Sequence, residues 1–582
     1  MSILVKRRSV NSTLNLPESM HPLLKRVYCQ RNIETADELQ LSLENLIPPQ
    51  KLKGIDVAVD LLWESLQQQT RVLIVADFDA DGATSCALAL TALRQLGFQH
   101  VDYIVPNRFD YGYGLTPEIV ELAKTKKPDL IVTVDNGISS IDGVASAKAA
   151  NIKTLLTDHH LPGRELPDAD AIVNPNQQGC EFPSKCIAGV GVIFYVMLAL
   201  RSRLREMDWF AQQQISEPNL AELLDLVALG TVADVVALDR NNRILVNEGL
   251  KRIRAGRTRP GIKSLLDIAK RNPLRLTATD LGFSVGPRLN AAGRLDDMST
   301  GIECLMAENA GAAYRLALQL DGMNKDRKHI EGDMREQAFQ FLQEFSLERT
   351  ELPAALCLYD PRWHQGVVGI LASRVKEKFN RPVIAFAEAN DEVAENSELK
   401  GSARSIKGFH IRDALDAVAS LNPGLISKFG GHAMAAGLSL NKQNLEKFTL
   451  AFQAQAASLL DEDLLQAKIL SDGELQTTDF SLSTAAELAA AGPWGQDFPE
   501  PVFDGKFTVV QQRRVGENHL KLVLSPPGAP QQTIDAIAFN IDSEHWPGEQ
   551  IRQIEIAYRL DVNEFRGNQS LQLMVEHILG WQ

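Results

Sequence analysis

Between about Arg71 and Val173 the chain alternates short β-branched runs with helical stretches, and this rhythm restricts the fold more than any other feature. The runs are VLIVA (Val72 to Ala76), YIVP (Tyr103 to Pro106), LIVTV (Leu130 to Val134), TLLT (Thr154 to Thr157) and AIV (Ala171 to Val173). Such alternation predicts βαβ units, and hence an α/β domain with a mainly parallel sheet and helices on both faces. Three of the runs end in a polar cluster. Open α/β sheets bind ligands at the carboxyl ends of their strands, so the chemistry is expected there.

The first cluster, VADFDADGAT, sets Asp77, Asp79 and Asp81 at alternate positions just after a strand. Carboxylates this close repel one another unless cations bind them. Taken alone, the cluster fits a calcium-type surface loop or an Asp-rich turn as well as a catalytic metal site. A second strand end supplies Asp135 in VDNG, a third supplies Asp158, His159 and His160 in TDHH, and a later helical turn, ALGTVADVV, offers Asp234. Each piece alone reads as a cap or a satisfied polar group. Together, carboxylates with one or two imidazoles suit Mn²⁺ or Mg²⁺ rather than a thiolate-loving metal. Carboxylates converging from separate strands can hold two such cations ~3.5 to 4 Å apart, activating water and stabilising both oxygens of an in-line phosphoryl displacement. Phosphoester hydrolysis is the expected reaction.

At 582 residues the chain exceeds the ~100 to 200 of a typical domain, so three or four compact units are expected. With 45% hydrophobic and 23% charged residues it is neither disordered nor fibrous. The longest apolar run, Gly189 to Leu200, falls short of the ~20 residues of a membrane span and reads as a buried helix. The first residues, MSILVKRRSVNSTL, are not followed by an apolar export segment, so a cytoplasmic protein with no membrane association is expected. The six cysteines are scattered, with only Cys180 and Cys186 close, and read as reduced structural thiols. The net charge of −14 argues against indiscriminate coating of nucleic acid. It is compatible with a carboxylate metal site whose cations cancel part of it, and with a local basic groove. The basic run from Lys251 to Arg275, with Asp267 its only acid, reads as a solvated face that also suits the border of a DNA channel.

A long polar helical stretch, about Tyr314 to Phe345, suggests a helix bridging two domains. A second α/β unit begins near Pro353 with AALCLYD and carries the Gly-rich segments HQGVVGI, GSARS and FGGHAMAAG. From about Asp472 short strands with turn signals predict a small antiparallel barrel or sandwich, and a five-stranded OB fold fits the length.

The order DxDxDG (Asp77 to Gly82), VDNG, DHH (Asp158 to His160) and TVAD (Thr231 to Asp234) resembles the four motifs of the DHH phosphoesterases. MHPLLKRVYCQRNI, VPNRFDYGYGL, GPRLNAAGRLDD, GGHAMAAG and WGQDFPEPVF match the RecJ branch of that family in order, across nearly the whole chain. The resemblance implies a DHH domain with an amino-terminal extension over 1–306, a connecting helix over 307–348, a DHHA1-like substrate-binding domain over 349–465 and an OB-fold single-strand-binding domain over 466–582. It implies two divalent cations, Mn²⁺ or Mg²⁺, one among Asp77, Asp79 and Asp135 and the other among Asp81, Asp135, His159 and Asp234, with Asp135 bridging.

Neighbouring residues of an extended segment point to opposite sides, so His160 is assigned to the substrate side, either stabilising phosphorane charge or protonating the leaving 3′ oxygen. Asp158 is read as orienting a ligand, with a structural acceptor as the alternative. Arg108, Arg288, Asn290, Arg294, Ser402, Arg404 and His432 are the candidates for substrate phosphate. His364 beside Trp363 reads equally as a packed interface pair or a nucleotide contact. Candidates on the barrel are Phe507, Arg513, Arg514, His519, Lys521, Tyr558, Arg559, Phe565 and Arg566.

The resemblance further implies a monomeric 5′ to 3′ exonuclease on single-stranded DNA, acting in recombination and repair beside a helicase and a single-stranded-DNA-binding protein. The rivals are a DHH enzyme for oligonucleotides, cyclic dinucleotides or polyphosphate, and a catalytically silent DNA-binding scaffold. Activity on a long strand against a dinucleotide, with and without Mn²⁺, separates the three.

Overall fold

Strand β1 (Leu4–Arg7) precedes a five-stranded sheet of β2 (Val72–Ala76), β3 (Val101–Ile104), β4 (Leu130–Val134), β5 (Lys153–Thr157) and β6 (Ala171–Val173). The structure, a computed structural model, describes residues 4–9, 16–107, 111, 113–348, 352–389, 397–516, 519–539, 541, 546, 548–565 and 567–582. The sheet is parallel throughout, in the order β3-β2-β4-β5-β6. Every residue of β2 and β4 is buried, as strands covered by helices on both faces must be. The chain leaves β2 for β3 on one side and returns to β4 on the other, so strand order reverses between β2 and β4. The register sets Ala76 beside Val134 and Val134 beside Thr157. The residues that follow each, Asp77, Asp135 and Asp158, therefore emerge side by side at a topological switch point, where such sheets bind ligands.

Helix Ala80–Leu96 follows β2 directly and is capped by Asp79. It packs against helices Gly189–Glu206 and Leu224–Ala233. This explains the unbroken apolar run at Gly189: the helix is buried around its circumference until Arg201 reaches the surface. Among the described residues no helix is long and apolar enough to cross a membrane, and the six cysteines form no disulfide.

Helix Ala310–Glu348 leads to the second domain, whose mixed sheet runs β10-β11-β9-β8-β7. Its strands are β7 (Leu356–Tyr359), β8 (Val383–Glu388), β9 (Glu398–Arg404), β10 (Lys428–Gly431) and β11 (Ala435–Asn441). Met334, Ala338 and Leu342 of the long helix share a core with Leu371 and Val375 of helix Val368–Phe379. Glu331 adds a polar tie, accepting from Arg327 at 2.7 Å and from Arg374 at 3.0 Å.

After β12 (Lys468–Ser471) the chain closes a five-stranded barrel in the order β13-β14-β15-β17-β16, the barrel of the two forms expected, with β15 and β17 paired in parallel rather than antiparallel. The strands are β13 (Phe503–Val515), β14 (His519–Ser525), β15 (Ile534–Ala538), β16 (Gln553–Phe565) and β17 (Asn568–Trp581). One continuous apolar core runs from the first domain through Trp494 and Phe498 into the barrel. The sequence reading missed β1, which pairs in parallel with β12. Beside that pair, Arg31 donates two bonds to the buried Asp472, at 2.8 and 3.1 Å, and lies over the Trp494 ring.

Candidate metal centre and substrate cleft

Asp79 begins the site by ending a strand: its Oδ1 accepts from the amides of Asp81 (2.9 Å) and Gly82 (3.0 Å), the geometry of a helix N-cap. Gly82 is required here, since a Cβ at this position would lie 2.3 Å from the Asp77 carbonyl oxygen. Asp81 points inward, where Oδ2 accepts from Gly189 N (2.7 Å) and Oδ1 from Val190 N (2.9 Å) at the start of the apolar helix. Asp135 is held at φ +62°, a left-handed conformation uncommon outside glycine, so that its carboxylate turns back over the sheet. Asn136 locks this turn by donating to the Val75 and Val134 carbonyls.

Ligand atoms of Asp77, Asp79 and Asp135 lie within 4.8 Å of one another, as do those of Asp81, His159 and Asp234, and those of Asp135, His159 and His160. His159 Nε2 stands 3.1 Å from Asp135 Oδ1 and 3.5 Å from Asp234 Oδ2. Burial, and then the neighbouring His160, lower the His159 pKa to about 3, so the ring is neutral. Burial first, and then Asp81 and Asp79, push Asp135 and Asp234 well above the usual carboxylate range. Asp81 is raised to about 7 by burial and Asp79, against the two amides it accepts. Both His159 Nε2 and Asp135 Oδ1 are buried without a hydrogen-bond partner. Orphaned lone pairs facing each other across a cluster of acids fit divalent cations, which would satisfy the acceptors and remove the repulsion.

His160 differs from its neighbour in charge. Burial opposes protonation, but Asp158, 2.7 Å from Nδ1, outweighs it and raises the ring to about 9. Asp158 is correspondingly lowered to about 2 by His160, against its own burial. Asn176 and Asn174 hold the backbone of the pair by donating to the carbonyls of His159 and His160. Sequence reasoning missed Tyr113, whose hydroxyl donates to the Asp135 carbonyl at 3.2 Å and lies 3.1 Å from His160 Nδ1. Its segment, VPNRFDYGYGL, drew attention only for Arg108, which lies outside the described residues.

The remaining phosphate candidates are divided between helix Gly286–Leu295 of the first domain and the β9 to β11 region of the second. Asn290 accepts from Ala80 N at 2.7 Å and so braces the acidic loop. Arg288 is tied to the connecting helix, its Nε donating to Asp321 Oδ1 at 2.9 Å. Arg294 donates to the Gly366 carbonyl across the domain boundary. Gly369, in the first turn of helix Val368–Phe379, lets that helix approach β9 so closely that a Cβ would stand 2.9 Å from both Ser402 Oγ and an Arg404 amino group. His432 stacks on His160 from the second domain. Trp363 packs into the interdomain core and donates to Gln337, while His364 Nδ1 accepts from Gly366 N.

Two aromatic candidates on the barrel are corrected: Phe507 is 2% and Tyr558 1% exposed, and both fill its core. Arg559 pairs with Glu500 and Glu576. Arg566 lies outside the described residues. In the basic run, Arg259 pairs with buried Asp225, Arg252 with Glu248, and Arg254 donates to the Leu276 carbonyl, so these three hold the fold together rather than face a channel.

Carboxylates and an imidazole gathered at the strand ends of a parallel sheet, with His432 of a second α/β domain stacked on His160 beside them, define a metal-dependent phosphoesterase of the DHH class. Family models agree: residues 71–231 match the DHH family N-terminal domain, 353–458 the DHHA1 domain and 471–577 the RecJ OB domain. The single-stranded-DNA-specific exonuclease RecJ of Salmonella typhimurium is 55% identical, over 99% of this chain and 98% of that protein. Its counterpart in Escherichia coli is 53% identical, over 99% of each. The crystal structure of RecJ from Thermus thermophilus in complex with Mn²⁺ is similar at a TM-score of 0.76 and 28% identity, covering 96% of this chain and 76% of that one. The same protein has been solved with Mg²⁺. The chain belongs to the RecJ family of single-stranded-DNA-specific exonucleases.

Proposed function

We propose that this chain is a 5′ to 3′ exonuclease that hydrolyses single-stranded DNA and releases nucleoside 5′-monophosphates. The observation that carries the reading is the pair of orphaned buried atoms, His159 Nε2 and Asp135 Oδ1, at the centre of the acidic strand ends. Asp77, Asp79 and Asp135 would hold one divalent cation, and Asp81, Asp135, His159 and Asp234 a second. When bound, the cations supply Lewis-acid activation of water and neutralise charge at phosphorus.

His160, kept protonated by Asp158, stands on the cleft side of this cluster. It is suited to stabilise charge on the phosphoryl oxygens or to deliver its proton to the departing 3′ oxygen. Water adds to phosphorus, the bond from phosphorus to the 3′ oxygen breaks, and the phosphate stays on the 5′ side of the released nucleotide. Tyr113 steadies His160 through its hydroxyl.

Direction follows from where the terminus is held. Ser402 and Arg404, set against the start of a helix at Gly369, supply hydroxyl and guanidinium donors suited to a terminal 5′ phosphate. The barrel would receive the strand on its 3′ side, through the exposed groups among His519, Arg513 and Arg514. A cytoplasmic monomer working with a helicase and a single-stranded-DNA-binding protein in recombination and repair completes the reading. Single strands labelled at one end and blocked at the other test it. Degradation from a free 5′ end is expected, and digestion from a free 3′ end past a blocked 5′ end would reverse it.

A further inference from the structure

The helical segment that borders the acidic loop begins with a widened turn. Residues Leu281–Val285 form a π-helix between the short helix Ala278–Asp280 and helix Gly286–Leu295. Turns of this kind are rare and concentrate at functional sites, because the extra residue pushes a side chain out of the regular helical path. The residue at the centre of this one is Phe283, which is 79% exposed. A phenyl ring left in water gives up roughly 1.5 to 3 kcal/mol of burial, which covering the ring would recover.

The segment's position indicates which occupant. A Cβ on Gly282 would stand 3.2 Å from Val232 Cγ1, and one on Gly286 3.1 Å from Ala233 Cβ, so the turn lies against the helix end that carries Asp234. Further along, Asn290 accepts from Ala80 N, and Gly293 approaches the Phe78 carbonyl so closely that a Cβ would lie 1.7 Å away. The same short stretch thus touches both acidic elements of the metal site. Val235, one residue beyond Asp234, is 64% exposed at φ +62°, a strained conformation for a β-branched side chain. Two arginines contact Ser284, the next residue along: Arg271, half exposed, donates to Ser284 Oγ at 2.9 Å and reaches Asp280 at 3.4 Å, and Arg288, held by Asp321, donates to the Ser284 carbonyl.

We propose that Phe283 is a base-stacking residue for the substrate strand just outside the metal site. Exposed aromatic rings, with basic groups along the backbone path, are how proteins hold single strands without reading sequence. The ring offers a π-face to a base, and half-exposed Arg271, through its contact with Ser284, is the guanidinium placed for a backbone phosphate there. The proposal rests on the single-strand nuclease reading and adds a determinant of grip to it.

The test measures affinity of the full chain for oligo(dT) and for an abasic oligomer of equal length, in EDTA so that neither is cut. Phe283→Ala should weaken oligo(dT) binding by roughly 5- to 150-fold, the range set by loss of one base stack. It should leave the abasic oligomer unchanged, and Phe283→Trp should retain wild-type affinity for both. Unaltered thermal unfolding would show that the variants fold. No change with Phe283→Ala, or an equal loss on both oligomers, overturns the proposal and leaves the ring to a protein partner or to packing. The functional reading fails separately, if the wild-type chain does not degrade oligo(dT) with Mn²⁺.

Discussion

His160 of the first domain stacks on His432 of the second, with ring centroids 5.9 Å apart and planes 19° from parallel. The stack joins the two domains beside the metal site, and burial, then His160, hold His432 below its ordinary pKa. The two adjacent histidines of the first domain thus face different tasks. His160→Ala should lower turnover by ~10² to 10⁴-fold, the contribution of a general acid, while keeping most of its Mn²⁺ affinity. His159→Ala should lose that affinity. Calorimetric titration with Mn²⁺ distinguishes the two, and equal metal loss would abolish the proposed division.

Asp135→Ala removes the acceptor that lies in two of the three ligand groups. Hydrolysis should become undetectable at any Mn²⁺ concentration, with circular dichroism unchanged. Near-native turnover in saturating Mn²⁺ would exclude a bridging role.

Tyr113→Phe deletes one hydroxyl in contact with both the Asp135 carbonyl and His160. A hydrogen bond involving a charged group contributes about 1.5 to 3 kcal/mol, so turnover should fall by roughly ten-fold or more with KM little altered. An unchanged kcat would make Tyr113 a packing residue only.

Arg31 and Asp472 are both buried and join segments far apart in sequence. Asp472→Ala strands the guanidinium and should cost about 3 to 5 kcal/mol in urea unfolding. A loss under about 1 kcal/mol, the scale of a single ordinary hydrogen bond, would mean that the Val27 and Pro499 carbonyls, which Arg31 also reaches, suffice to hold it.

Glu388 accepts from Lys442 at 2.8 Å and also from Ser397 and Tyr359. Burial raises its pKa, but these bonds prevail and lower it below its ordinary value. A depressed carboxylate stabilises the fold above its unfolded pKa of roughly 4.3 and loses that stabilisation as pH falls through the folded value. Melting curves between neutral pH and strongly acidic pH should show a shallower acid-side decline for Glu388→Gln than for wild type, and parallel curves would refute the linkage.

The strand ends were legible because their signal is local. A β-branched run followed by acids places Asp77, Asp135 and Asp158 wherever the strands lie in parallel register. Phe507 and Tyr558 were not, since whether a strand residue faces in or out depends on pairing, and both turn into the barrel. The π-turn at Phe283 was hidden for a related reason: LGFSVGPRL carries no local signal that separates a widened turn from a regular one, and the turn lies against Val232 and Ala233 from elsewhere in the chain. Strand β1 was invisible because its partner is β12, hundreds of residues along the chain.

That last pairing sets an order on how the molecule comes into being. Arg7 meets Asp504 across a separation of 497 residues. At roughly 5 to 20 residues per second of ribosomal elongation, the amino-terminal strand waits on the order of half a minute to two minutes for its mate. Throughout that interval the parallel sheet can assemble while β1 remains a solitary edge open to other chains. The polar side chains of Lys6 and Arg7 guard such an edge, as charges do on natural unpaired strands. The molecule is fastened last by the residues that emerged first.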